Sequence, residues 1–102
     1  MTSGRLAAVN VDAGTNTLIY TIAGSKPFSV TVNMCNRNSS DVTVRLALVD
    51  GVVANLSDED YIEYDVVIRA GGLVERSGID MTPGQSLIGY SNKGNVSFQV
   101  WA

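Results

Sequence analysis

Apolar and polar residues alternate along several short runs of this chain, and the clearest runs lie within residues 28–49. A period of two places the apolar side chains on one face of a β-strand, because successive Cβ atoms point to opposite sides of a sheet. The sequence therefore predicts two half-buried strands in this region. Their apolar faces comprise Phe28, Val30, Val32 and Met34 in the first strand, and Val42, Val44, Leu46 and Leu48 in the second.

The segment between these two strands predicts a turn. Residues 36–41 read Asn-Arg-Asn-Ser-Ser-Asp, and short polar side chains of this kind bond to their own backbone and tolerate turn geometry. We expect the two strands to pair as an antiparallel hairpin. A lone hairpin is marginally stable in water, so its apolar face must be covered by a second sheet built from the rest of the chain.

Six further strands follow from the same signals. They are predicted over 5–11, 15–22, 61–68, 73–79, 85–90 and 96–101. Within 61–68 we expect the alternate residues Ile62, Tyr64, Val66 and Ile68 to face the core. Residues 23–27 are predicted to form a turn, and 52–60 a polar loop or a single helical turn.

About eight short strands at regular spacing, each bounded by Gly, Pro, Asn or Ser, predict an all-β fold. No segment has the periodicity of an amphipathic helix. The expected architecture is one domain over 1–102, an antiparallel β-sandwich or jelly-roll.

Composition narrows the classes of function. Charged residues make up 17% of the chain, below the usual value of about 25%, which leaves a neutral surface suited to protein contacts. The net charge is −3 and the seven cations are scattered, so nucleic-acid binding is not expected. A leader is not expected, because no basic region followed by an apolar core opens the chain, and a membrane span is not expected, because no apolar run approaches about eighteen residues. A single cysteine, Cys35, excludes an internal disulfide and agrees with synthesis in a reducing compartment such as the cytoplasm.

The chain lacks the usual parts of an active site. Histidine is absent, which removes the commonest general base and the commonest transition-metal ligand. Cys35 has no histidine or second cysteine to activate it, and free cysteines mostly act as small buried side chains. We therefore expect neither an enzyme nor a bound cofactor.

One acidic group is dense enough to consider as a metal site: Asp58, Glu59, Asp60, Glu63 and Asp65. Calcium is bound by six to eight oxygen atoms, which neighbouring carboxylates supply. The spacing does not match an EF-hand loop, and a solvated loop is the alternative interpretation. Together with Tyr61 and Tyr64, this group forms the hypothesis of a sugar- or calcium-binding module.

Three residues are candidates for a protein interface: Tyr61, Arg76 and Trp101. Tyr, Trp and Arg are the side chains that most often dominate binding energy at protein interfaces. Tyr61 and Arg76 are expected on outward strand faces, and Trp101 ends the last strand.

Several segments, in order, resemble a family of small virion proteins of tailed bacteriophages, especially phages of cyanobacteria. These segments read TLIYTI at 17–22, VNMCNR at 32–37, DYIEYD at 60–65, LVERSGI at 73–79, GQ at 84–85 and VSFQV at 96–100.

The resemblance implies a β-sandwich without enzymatic activity that forms part of the phage particle. The expected role is a capsid decoration, or cement, protein on the outside of the shell, where it stabilises the shell against the pressure of packaged DNA. Its expected partners are the major capsid protein and two further copies of itself in a homotrimer. A small tail, baseplate or fibre component is the alternative.

Overall fold

The computed structural model describes residues 4–22 and 25–102. Eight strands are formed close to their predicted bounds, and two 3₁₀ turns, Val53–Asn55 and Asp58–Asp60, precede the fifth strand. The strands are β1 Arg5–Val11, β2 Thr17–Thr21, β3 Phe28–Asn36, β4 Val42–Asp50, β5 Tyr61–Ile68, β6 Leu73–Met81, β7 Gln85–Ser91 and β8 Val96–Trp101. Part of the predicted turn at 23–27, namely residues 23 and 24, lies outside the described residues.

The strands form two four-stranded antiparallel sheets. The first sheet has the order β1-β8-β3-β6 and the second has the order β2-β7-β4-β5. This order is that of a jelly-roll, in which eight strands wind as two Greek keys into a two-layer sandwich. The predicted all-β sandwich is confirmed. No helix in the described part of the chain is long and apolar enough to cross a membrane.

The core lies between the two sheets and uses the predicted alternation. The apolar faces of β3 and β4 point into it, with Phe28 and Leu48 half-buried at its margin. The largest fully buried side chains include Met34, Leu46, Leu87 and Phe98.

The predicted pairing of β3 with β4 is wrong. β3 pairs with β6 and β8 in the first sheet, whereas β4 pairs with β5 and β7 in the second. Residues 37–41 therefore carry the chain from one sheet to the other. Alternation determines which face of a strand is buried but not which strand lies beside it. The apolar faces of β3 and β4 are therefore both buried as predicted, although the two strands belong to different sheets.

A buried asparagine organises this crossing between sheets. The Asn36 amide nitrogen donates hydrogen bonds to the carbonyl oxygens of Ser40, Ile68 and Arg69 at 2.9, 3.0 and 3.1 Å. Its amide oxygen accepts from the backbone N–H and the side-chain amide of Asn38, at 2.9 and 3.0 Å. The Asn36 side chain thus joins the end of β3 in the first sheet to the end of β5 in the second.

The segment before β5 is only partly a polar loop. Val53 and Leu56 pack against Ala47, Val49 and Ile88, which lie on the outer side of the second sheet. These residues form a small second apolar cluster outside the main core. The 3₁₀ turns thus serve as a cover over part of that outer face.

The edge strands β5 and β6 are irregular. The ladder of β5 shifts register twice, and Asp65 has a positive φ of 52°. The β6 ladder shifts opposite Thr31, where Gly78 has a φ of 70°. Bulges and charges of this kind discourage unwanted pairing with other strands.

Candidate interaction surfaces

Five side chains form a cluster on the outer face of the second sheet. We call it the tyrosine–arginine cluster, and its members are Arg45, Tyr61, Tyr64, Asp65 and Tyr90. The Arg45 guanidinium carbon lies 4.3 Å from the ring centre of Tyr64 and 4.5 Å from that of Tyr90. Tyr61 and Tyr64 meet edge to face, with ring centres 4.9 Å apart. A cation held against two aromatic rings is favourable because each ring presents electron density to it.

A bulge in β5 assembles this cluster. Val44 pairs with Val66 and Leu46 with Glu63, so Arg45 alone lies opposite both Tyr64 and Asp65. The extra residue turns Tyr64 outward, where it is 57% exposed, whereas Ile62, Val66 and Ile68 face the core as predicted. The prediction that Tyr64 faces the core is therefore wrong, since alternation holds only where the register is regular.

Asp65 fixes the orientation of the Arg45 guanidinium. Its Nε donates to Asp65 Oδ1 at 2.6 Å, and Nη2 lies 3.4 Å from Oδ2. The hydrogen bond to Asp65 raises the pKa of Arg45 above its ordinary value; burial opposes the rise and the carboxylate charge adds to it. An arginine is protonated with or without this contact, and the contribution of Asp65 is to fix the plane of the guanidinium through a two-pronged pair.

The cluster presents apolar area to solvent. Tyr64 and Val67 are each 57% exposed on β5, and the Arg45 guanidinium lies over the Tyr64 ring. Exposed aromatic and arginine side chains that are already held in place lose little freedom on binding, which makes them efficient anchors. The sequence signal for this site was Arg45, the one charged residue within the otherwise uncharged run Val42–Val49.

The three predicted interface residues do not share one surface. Tyr61 belongs to the cluster and is half-buried. Arg76 Nη1 donates to Glu63 Oε1 at 2.8 Å, which joins β6 to β5 across the open side of the sandwich. Trp101 ends β8 in the first sheet, on the opposite layer, and is 38% exposed.

Trp101 borders an open depression on the outer face of the first sheet. The depression has a volume of about 440 Å³ and is lined by side chains from β3, β6 and β8. Its lining includes Ser29, Thr31, Asn33, Glu75, Gly78 and Trp101. The Oδ1 atom of Asn33 is shielded from solvent and has no hydrogen-bond partner among the described residues.

Most of the acidic group is bonded within the protein. Asp60 accepts from the backbone N–H and the hydroxyl of Ser57 at 2.9 and 3.2 Å. Glu63 pairs with Arg76, and Asp65 pairs with Arg45. Within residues 4–22 and 25–102, no three acidic or sulfur-bearing side chains lie close enough together to hold a metal ion.

Comparisons with protein families, with curated proteins and with solved structures found no match.

Proposed function

We propose that this chain is a structural protein of a bacteriophage particle that decorates the outside of the major capsid shell. It acts by adding protein contacts and not by catalysis. The observation that carries this proposal is the stack of Arg45 between Tyr64 and Tyr90 on an exposed sheet face. The resemblance of six segments to phage virion proteins supplies the biological setting.

The cluster suits repeated attachment to a shell. Its arginine is held by Asp65 and by two rings before any partner arrives, so little side-chain freedom is lost on binding. A contact of about 800 Å² per partner is usual for a specific complex. Three copies in a homotrimer would engage three shell subunits at once, and linked contacts of this kind exceed the affinity of one.

The mass of the purified chain in solution and its attachment to capsids test this proposal directly. Light scattering is expected to give a trimer, and the purified chain is expected to sediment with empty capsids of the virus that encodes it. Absence of the protein from purified particles, or cryo-electron microscopy density for it in the tail alone, would overturn the proposal.

A substitution tests the surface. Tyr64→Ala is expected to weaken capsid attachment by at least tenfold, the loss typical of an interface anchor, while the melting temperature changes little because the ring is 57% exposed. The matched control is Leu73→Ala, which shortens another exposed side chain on the first sheet. If Tyr64→Ala and Leu73→Ala bind capsids equally well, the tyrosine–arginine cluster is not part of the interface.

The addition of calcium tests the alternative hypothesis of a calcium-binding module. A protein that binds calcium only when folded gains stability by RT ln(1 + [L]/Kd) when the ion is added. We expect the melting temperature to be the same in calcium and in chelator, since three of the five carboxylates already have protein partners.

A further inference from the structure

We propose that the depression beside Trp101 binds an arginine side chain from a partner protein. This site lies on the first sheet, on the layer opposite to the tyrosine–arginine cluster. Its partner class follows from the chemistry of its lining, and it deepens the proposed function by naming a second contact with the shell.

The lining offers acceptors and an aromatic face. Asn33 supplies an amide oxygen and Glu75 a carboxylate, while Trp101 supplies an indole ring. In the ladder, Asn33 lies directly opposite Glu75, and Thr31 lies opposite Trp101. Among the described residues no Lys or Arg lines the depression, and Glu75 has no ion-pair partner.

The unpaired oxygen of Asn33 marks the place for a donor. A shielded acceptor without a partner destabilises the free protein, so supplying a donor there is favourable. Asn33 is half-buried and lines the depression, and since the terminal torsion of an asparagine is broad, a rotation of the amide would present Oδ1 to a donor bound there. Gly78 leaves the opposite wall open, because a Cβ built at this residue would meet no atom within 4 Å.

A guanidinium fits these features better than an ammonium group or a sugar. It is planar, stacks on an aromatic face and carries five N–H donors for separate acceptors. Its charge is compensated by Glu75, which a neutral sugar would leave unpaired. The net charge of −3 also favours a cationic partner at long range. Arg5 of the same chain pairs with Trp101 in the ladder between β1 and β8 but does not line the depression.

Trp101 is the only tryptophan of the chain, so its fluorescence reports directly on the depression. The probes are end-blocked pentapeptides of sequence Gly-Gly-X-Gly-Gly, with arginine, lysine or citrulline at X. Citrulline keeps the shape of arginine without its charge. We expect a saturable change in fluorescence with the arginine peptide, a weaker one with lysine and none with citrulline.

Two substitutions define the contacts. Glu75→Gln is expected to weaken arginine binding about tenfold, as does loss of a charged hydrogen bond elsewhere. Glu59→Gln removes the same charge from an exposed position in the second 3₁₀ turn and should leave binding unchanged. Asn33→Leu should abolish binding yet raise the melting temperature, since it removes the unpaired oxygen. If Asn33 had only a structural role, Asn33→Leu would lower both the affinity for the arginine peptide and the melting temperature.

Three results would overturn the site. The first is an equal fluorescence response to the arginine and citrulline peptides. The second is a response to methyl glycosides but not to the arginine peptide, and the third is unchanged affinity of Glu75→Gln for the arginine peptide. This inference rests on the proposed function only for the identity of the partner. If capsids bind Glu75→Gln normally, the arginine contact fails while the function stands; if the peptide binds but capsids do not, the function fails.

Discussion

A single buried amide determines how the chain passes between its two sheets. Asn36 is fully buried and uses both ends of its side chain, as a donor to three carbonyl groups and as an acceptor from Asn38. Buried polar groups are tolerated when every hydrogen bond is made, and then they favour one arrangement over others. Asn36 thereby links the end of β3 to the turn after β5.

Asn36→Asp is expected to lower the free energy of unfolding by about 3–5 kcal/mol, because it replaces a donor to three carbonyls with an unpaired buried charge. Denaturant unfolding measures this loss. The control is Asn16→Asp, the same change at an exposed residue, which should shift stability by less than about 0.5 kcal/mol. Similar losses in the two variants would contradict the role given to Asn36.

At the scale of the element, regular strands were predictable and their irregularities were not. The buried face of β3 follows from alternation alone, and the structure confirms it. In β5 the same reading fails at Tyr64, because an extra residue opposite Arg45 shifts the faces. No glycine or proline marks this bulge, since Asp65 itself adopts the positive φ. The tyrosine–arginine cluster was therefore beyond prediction from periodicity, although one of its members, Tyr61, was among the residues predicted for a protein interface.

The contact between β7 and β8 across the core also depends on one small residue. A Cβ built on Gly89 would lie 2.8 Å from Phe98 Cε2 and 3.1 Å from Ile19 Cδ1. The ring of Phe98 thus packs directly on the β7 backbone. This close approach brings the two sheets together at their centre.

Gly89→Ala is expected to destabilise the fold by about 1–3 kcal/mol, the usual range for overpacking a filled core. Thermal unfolding checks it. Gly94→Ala provides the comparison, since a Cβ there meets no atom within 4 Å and Gly94 does not have a positive φ. If Gly89→Ala and Gly94→Ala have the same melting temperature, the core near Phe98 is more loosely packed than the structure indicates.

For the whole molecule, the sequence predicts two packed sheets but not the order of the strands within them. Eight runs with turn residues between them were enough for a sandwich. The neighbour of each strand depends on long-range packing, which is why the expected β3–β4 hairpin is absent and each strand pairs within its own sheet. The depression at Trp101 was missed for the same reason: it needs β3, β6 and β8 side by side, and that order cannot be read from neighbouring residues.

The low charge of the molecule makes its solubility depend on pH. With a pI near 4.6 and few charged residues, repulsion between copies vanishes as the pH falls from 7 toward that value. Turbidity at fixed protein concentration is expected to peak near the pI and to reverse when the pH is raised. A flat profile from pH 7 to 4 would contradict this expectation.

The two ends of the described chain lie side by side in the first sheet. The backbone N–H of Gly4 donates to the Ala102 carbonyl at 2.9 Å, and that of Ala102 donates to the Gly4 carbonyl at 3.0 Å. A short linker can therefore join these two residues without disturbing β1 or β8. New ends opened between the exposed residues Ser25 and Lys26 would give a circular permutant with the same sandwich. Because Thr31 lies opposite Trp101 and Arg5 pairs with Trp101, residues 25 and 26 and the Gly4–Ala102 pair lie toward the same end of the first sheet. Peptides fused at the new ends and at the joined residues would therefore be displayed together from one end of the sandwich.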